Sequence, residues 1–91
     1  MSELLIGRIV GVAEHAGARA PSLLLTVDLG QHGREELVLP TGDYTPADLE
    51  GAQILCRREA DGLRVAGAQS HGKGLVLLRP DRDVEDGTLV D

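Results

Sequence analysis

The chain has 91 residues, 42% of them apolar, and a formal net charge of −6 from nine basic and fifteen acidic side chains. That length holds one domain around one modest core, and no apolar run approaches the roughly eighteen residues that a membrane-spanning helix needs. The acidic balance disfavours a general nucleic-acid binder, whose affinity comes largely from neutralised phosphates.

The apolar residues are almost wholly Leu, Val, Ile and Ala, with one Tyr, no Phe and no Trp. A core of branched aliphatic side chains favours strands over helices. Met1 to Leu5 lacks the basic region and cleavage site of a signal peptide, and Cys56 has no second cysteine to pair with. The expected compartment is therefore the cytoplasm.

In chain order, Leu4 to Val12 reads as a first strand, bent by Gly7 and Gly11. Residues 13–22 have loop composition. Leu23, Leu25, Val27 and Leu29 then alternate with Leu24, Thr26 and Asp28, a period-2 strand with one fully apolar face. Gly30-Gln31-His32-Gly33 reads as a hairpin turn, with Glu36 to Leu39 returning as a third strand.

Thr45 to Gly51 is punctuated as a short helix. Thr45 caps the free N–H groups, Pro46 suits the first helical position, Asp48 follows three residues after the cap, and Gly51 ends it. Ile54 to Arg58 is a fourth strand, Asp61-Gly62 a turn, and Leu63 to Ala66 a fifth. Gly74 to Leu78 is apolar on both faces, which predicts the most buried strand. The stretch 81–91 is an acidic C-terminal tail, with five carboxylates against Arg82 alone, and is expected to be merely solvated.

Three strands, a short helix, then two strands is the order of a five-stranded Greek-key barrel of the oligonucleotide/oligosaccharide-binding (OB) type. An SH3-like barrel has nearly the same strand count; the helix between strands 3 and 4 favours the OB fold. The predicted organisation is a single OB-fold domain over 1–91.

No enzyme signature stands out. His15, His32 and His71 lie 17 and 39 residues apart, outside any metal-ligand spacing, and Cys56 has no nearby histidine. There is no nucleophile elbow and no paired-carboxylate pattern. The expectation is a non-catalytic module with no cofactor and no metal.

Several stretches carry a family resemblance. Leu5-Ile6-Gly7-Arg8-Ile9-Val10 is similar to the opening strand of the tRNA-binding domain family, which includes CsaA-type chaperones and the C-terminal appendages of some methionyl-tRNA synthetases. Tyr44-Thr45-Pro46-Ala47-Asp48-Leu49-Glu50-Gly51 matches the family's Tyr-Thr-Pro-Glu-Glu-Leu-x-Gly segment. Gly67 to Gly72 resembles its Gly-x-x-Ser-x-Gly turn, and Val76 to Val84 with Gly87 is close to the CsaA-type ending. The resemblance runs in unbroken order over nearly the whole chain and implies tRNA or structured RNA, rather than DNA, as the ligand.

The departures bear on function. By ungapped reading from Tyr44, the family's polar Ser-Ala-Gln strand falls on Leu37, Val38 and Leu39. Its Asn before a double proline falls on Glu59, and the Met after the Ser-x-Gly turn is Lys73.

Stacking aromatics and a basic groove hold single-stranded nucleic acid on this fold, but Tyr44 is the one aromatic here. A single ring makes no stacking platform and better suits a cover for the barrel end. Arg57, Arg58 and Arg64 are the candidate phosphate contacts, with Arg8 at the rim. Arg57 and Arg58 point to opposite faces of one strand, so one of them at most enters a given groove. The competing reading is solvated charge paired with Glu59 and Asp61. Ser70 contacts RNA by the resemblance, or simply hydrogen-bonds its turn; Lys73 stands beside it.

Two functions follow: a tRNA- or RNA-binding module using Arg8, Arg57, Arg64, Ser70 and Lys73, or a protein-interaction module that has lost RNA binding. The second makes Leu37-Val38-Leu39 an apolar edge for a homodimer or a protein partner. A peptide-binding chaperone role is implied by the CsaA resemblance alone.

Overall fold

The computed structural model describes residues 3–15, 17, 21–40 and 43–91. Strand β1 (Glu3–Glu14) is the spine of the molecule. It pairs antiparallel with β4 (Gln53–Glu59) through its first half, Glu3 to Arg8. Its second half, Arg8 to Glu14, pairs with β2 (Leu23–Asp28). A register shift between Ile9 and Gly11 bends the strand where it changes partners, the usual work of a bulge at a barrel corner.

Leu5 and Ile9 point inward and are fully buried. Gly7 lies between them on the same face, and a β-carbon there would collide with the Val27 and Leu29 side chains. Strand β3 (Arg34–Leu39) pairs with β2, and β5 (Gly62–Val65) with β4, giving the order β3-β2-β1-β4-β5. β3 comes alongside β5, so the sheet nearly closes. This is an all-β, OB-like barrel with an aliphatic interior.

Helix α1 (Pro46–Leu49) sits between β3 and β4, as its punctuation predicts. Thr45 Oγ1 accepts from the Asp48 N–H at 3.3 Å. Gly51, at φ +82°, turns the chain back so that its N–H donates to Ile9 O at 2.8 Å. Leu49 is thereby driven completely into the core as a plug. No helix among the described residues is long and apolar enough to cross a membrane.

Two expectations need correction. Gly74 to Leu78 is not the most buried strand: in β7 (Gly74–Leu77) only Leu77 is buried, and Leu78 is 41% exposed. The reason lies in its partner. Gly67 to Ser70, read as a turn, is a strand (β6), and β6 and β7 form a two-stranded ribbon outside the barrel sheet. A lone ribbon packs one face only, so the apolar run cannot be buried on both sides.

The acidic tail is also not a merely solvated segment. Gln53, buried among aliphatic neighbours, accepts from the Val84 N–H at 3.0 Å through Oε1. Its Nε2 donates to Val84 O at 2.6 Å and to Asp86 Oδ1 at 2.8 Å. Beyond this clamp, Gly87 N–H donates to Ile6 O at 2.7 Å and Ile6 N–H to Thr88 O at 2.8 Å. A last short strand, β8 (Leu89–Val90), then pairs with Leu4 and Leu5. The tail thus covers the edge of β1 that β2 does not reach.

Candidate nucleic-acid interface

Strand alternation sorts the cations of the β4–β5 hairpin. Cys56 and Val65 are partners on the inward face, so the next pair, Arg57 and Arg64, points outward together. Arg58 falls on the other face, at the barrel end, where its Nε donates to Glu3 Oε1 at 3.1 Å. That hydrogen bond, with the guanidinium's charge, holds the Glu3 carboxyl below its ordinary pKa.

Two like charges directly across an antiparallel pair repel. Arg64 is relieved by Asp61 at 2.9 Å and Glu59 at 3.8 Å. Arg57 has no carboxylate partner among the described residues. It is exposed above Leu4, its partner on β1, and borders a shallow cleft of about 430 Å³ with Leu89, Val90 and Asp91.

Ser70 and Lys73 meet at the tip of the ribbon, where Lys73 N–H reaches Ser70 O at 3.3 Å across His71 and Gly72. Every residue from Gly67 to Gly74 is exposed. The base of the ribbon is held by Leu55 N–H on Leu78 O at 2.8 Å and by Tyr44, whose hydroxyl accepts from Leu77 N–H at 3.1 Å. Tyr44 therefore anchors the ribbon and packs on the core.

Arg8 stands apart from both groups. Its guanidinium donates to Asp83 at 2.8 Å, to Asp86 at 3.1 Å and to Gly51 O at 2.9 Å. The Asp83 hydrogen bond, with Asp86 beside it, raises the Arg8 pKa above its usual value. Arg8 is a clasp on the tail, and its planar fork is already filled by two carboxylates. The sequence offered one hint of this clamp, a glutamine opening an otherwise apolar strand at Gln53; its partners lie more than thirty residues away.

Of the proposed interface strand, Leu37 and Leu39 are buried in the chain's own core and Val38 alone faces out, 41% exposed. Cys56 is fully buried, and burial pushes its thiol up to about 12. Among the described residues no three His, Cys, Asp or Glu side chains gather as a metal site requires.

In class, the molecule is an OB-like barrel carrying an outward arginine pair and a basic-tipped ribbon. The known proteins it is similar to narrow the class. The chaperone CsaA of Bacillus anthracis superposes with a TM-score of 0.89 at 27% identity, over 99% of this chain and 91% of that one. The CsaA of Picrophilus torridus gives 0.89 at 23% identity, over 99% and 92%. The methionine–tRNA ligase of Archaeoglobus fulgidus is 30% identical over 96 residues, which is 97% of this chain and 14% of that enzyme. The chain thus spans a small part of the ligase it matches. No family model matches the chain. In fold and sequence together, it is similar to the CsaA chaperones and to a short part of a methionine–tRNA ligase, likenesses that support a tRNA-binding-type module in general.

Proposed function

We propose that the chain is a non-catalytic module that binds tRNA or another structured RNA through backbone phosphates. One observation carries the reading: in a chain of net charge −6, Arg57 and Arg64 are placed side by side on an exposed face, and Arg57 has no carboxylate partner among the described residues. A phosphate seated between the two guanidinium groups removes their repulsion and matches their fork geometry. Ser70 and Lys73 on the ribbon tip add a hydroxyl and a second cation at a separate point.

Bulk tRNA titrated by fluorescence anisotropy at low and high salt tests this. Two or three phosphate contacts give a slope of log K against log salt of about −1.4 to −2.7, at ~0.7–0.9 per contact. Arg57→Ala reduces that slope by nearly one contact's worth. A flat titration at low salt refutes the proposal.

Assembly with a second copy or another protein is a second reading. It is supported by Leu89, 56% exposed, and Val90 next to it on the edge strand β8. Light scattering at increasing concentration, with Leu89→Ser as the control, reads it directly.

A further inference from the structure

Four strands bring one outward side chain each into a single line. Leu4 on β1 pairs with Val90 on β8 and with Arg57 on β4, and Arg57 pairs with Arg64 on β5. Leu5 and Cys56, the next residues along β1 and back along β4, are fully buried. Val90, Leu4, Arg57 and Arg64 therefore form one cross-strand row on the outer face. The row is cationic at one end and aliphatic at the other, where Leu4 is half-buried and Leu89 and Val90 are exposed.

The cleft of about 430 Å³ follows this row, lined by Arg57, Leu4, Leu89, Val90, Asp91 and Glu3. Its volume lies in the roughly 300–1,000 Å³ range of small-ligand sites. Its two carboxylates differ. Glu3 already accepts from Arg58 Nε at 3.1 Å, whereas Asp91 has no ion-pair partner among the described residues. The chemistry thus changes in order along the cleft: a guanidinium pair, an aliphatic shelf, then a carboxylate that can only accept.

We infer that this cleft seats a guanine 5′-nucleotide, which in RNA means an unpaired guanosine in a loop, a bulge or an end. The inference rests on the RNA reading for its phosphate contact and adds the base. Adjacent strands lie about 4.8 Å apart, so Arg57 and Val90 are separated by about 9–10 Å. That is close to the span from a nucleotide's phosphate to the far edge of its own base. With the phosphate on the arginine pair, the ring rests on Leu4 and Val90, an apolar contact of the kind that holds unstacked bases.

The far edge of the base then meets Asp91. Guanine presents N1–H and the N2 amino group side by side, two donors for the two carboxylate oxygens. Adenine and cytosine present one amino group beside a ring-nitrogen acceptor, and uracil one N–H between two carbonyls. Each of these sets a lone pair against the carboxylate. A guanine paired with cytosine has the same edge occupied, so duplex is excluded.

The test is titration of the 15N-labelled chain with 5′-GMP, with 5′-IMP, which lacks only the N2 amino group, and with 5′-UMP. Millimolar GMP is expected to shift the amides of Leu4, Arg57, Leu89 and Val90 and to bind at least about threefold more tightly than IMP or UMP. Asp91→Asn brings IMP level with GMP. Val90→Ser weakens both without changing their ratio, and Arg57→Ala weakens all three nucleotides. These positions are exposed, and an unchanged circular dichroism spectrum verifies that each variant is folded.

Equal binding of GMP and IMP, no shift at these amides, or a preference that survives Asp91→Asn overturns the inference. So do shifts at Leu89 and Val90 that follow protein concentration rather than nucleotide, which would assign the cleft to a second copy. The RNA reading fails separately. A flat tRNA titration beside a retained GMP preference refutes that reading and leaves the cleft a site for free guanine nucleotides. A salt-dependent tRNA titration with no GMP preference keeps the phosphate contacts and overturns the guanine assignment.

Discussion

Truncating Gln53 to alanine separates the tail's clamp from its sequence-local contacts. The side chain makes three hydrogen bonds, two with the Val84 backbone and one with Asp86, from a position only 5% exposed. Each is worth about 0.5–1.5 kcal/mol net. Val84 and Asp86 are half-buried, so water replaces part of the loss, and the total comes to about 2–3 kcal/mol. For a domain of this size, 1 kcal/mol moves Tm by about 4–8 °C, so thermal unfolding should drop by roughly 10–20 °C. Hydrogen exchange locates the effect. The amides of Ile6 and Gly87, which bond across the tail, should lose protection well before those of Leu25 and Val27 in β2. Loss below about 0.5 kcal/mol with Ile6 and Gly87 still protected would show that the tail holds without its clamp, and the reasoning would be wrong.

Gly7→Ala puts a β-carbon against Val27 and within 3.0 Å of Leu29, an overpacking expected to cost about 1–3 kcal/mol by urea denaturation; adding Val27→Ala should recover part of what Gly7→Ala loses. Tyr44→Phe removes the acceptor of Leu77 N–H and should cost ~1 kcal/mol, with faster exchange at the Leu77 amide and none of the barrel amides affected equally. Cys56 should resist a thiol reagent at pH 8 in the folded chain and react in urea. Burial raises its pKa from the ordinary 9.0 to about 12 in the folded chain. The folded state therefore keeps a proton that the unfolded state gives up, and stability should fall as pH rises from about 9 towards 12. A Cys56→Ala variant should show a flatter alkaline limb.

The barrel was legible in the sequence wherever a local rule decided the outcome. Leu23 to Leu29 alternates because one face of β2 is core and the other is not; Thr45 and Pro46 each satisfy a backbone group within a few residues, and Gly51 supplies the positive φ that ends the helix. The ribbon was not legible, because Gly67-Ala68-Gln69-Ser70 has no apolar period; it is a strand through its backbone pairing with β7. The tail failed for a different reason. Its contacts are nonlocal, and they depend on close backbone approach at Gly30 and Gly87, where a β-carbon would strike the Asp86 and Leu29 carbonyls. For the site, the facing of Arg57 and Arg64 followed once the Asp61-Gly62 hairpin set the register. The capture of Arg8 by carboxylates 75 and 78 residues away had no local signature.

That capture changes how net charge bears on function. Among the described residues Arg8, Arg34, Arg58, Arg64 and Arg82 each have a carboxylate partner, and Arg79 donates to the Asp48 carbonyl. Arg57 and Lys73 have no such partner. Ion pairs on the surface are screened within about 8–10 Å, so an incoming phosphate is met by local groups rather than by the sum over the chain. Arg8 offsets one of the two charges of Asp83 and Asp86, and the remaining one sits beside Gln53, four residues or about 13 Å along β4 from Arg57 and beyond the screening distance. The same excess of carboxylates that argues against RNA binding in general thus permits it at Arg57.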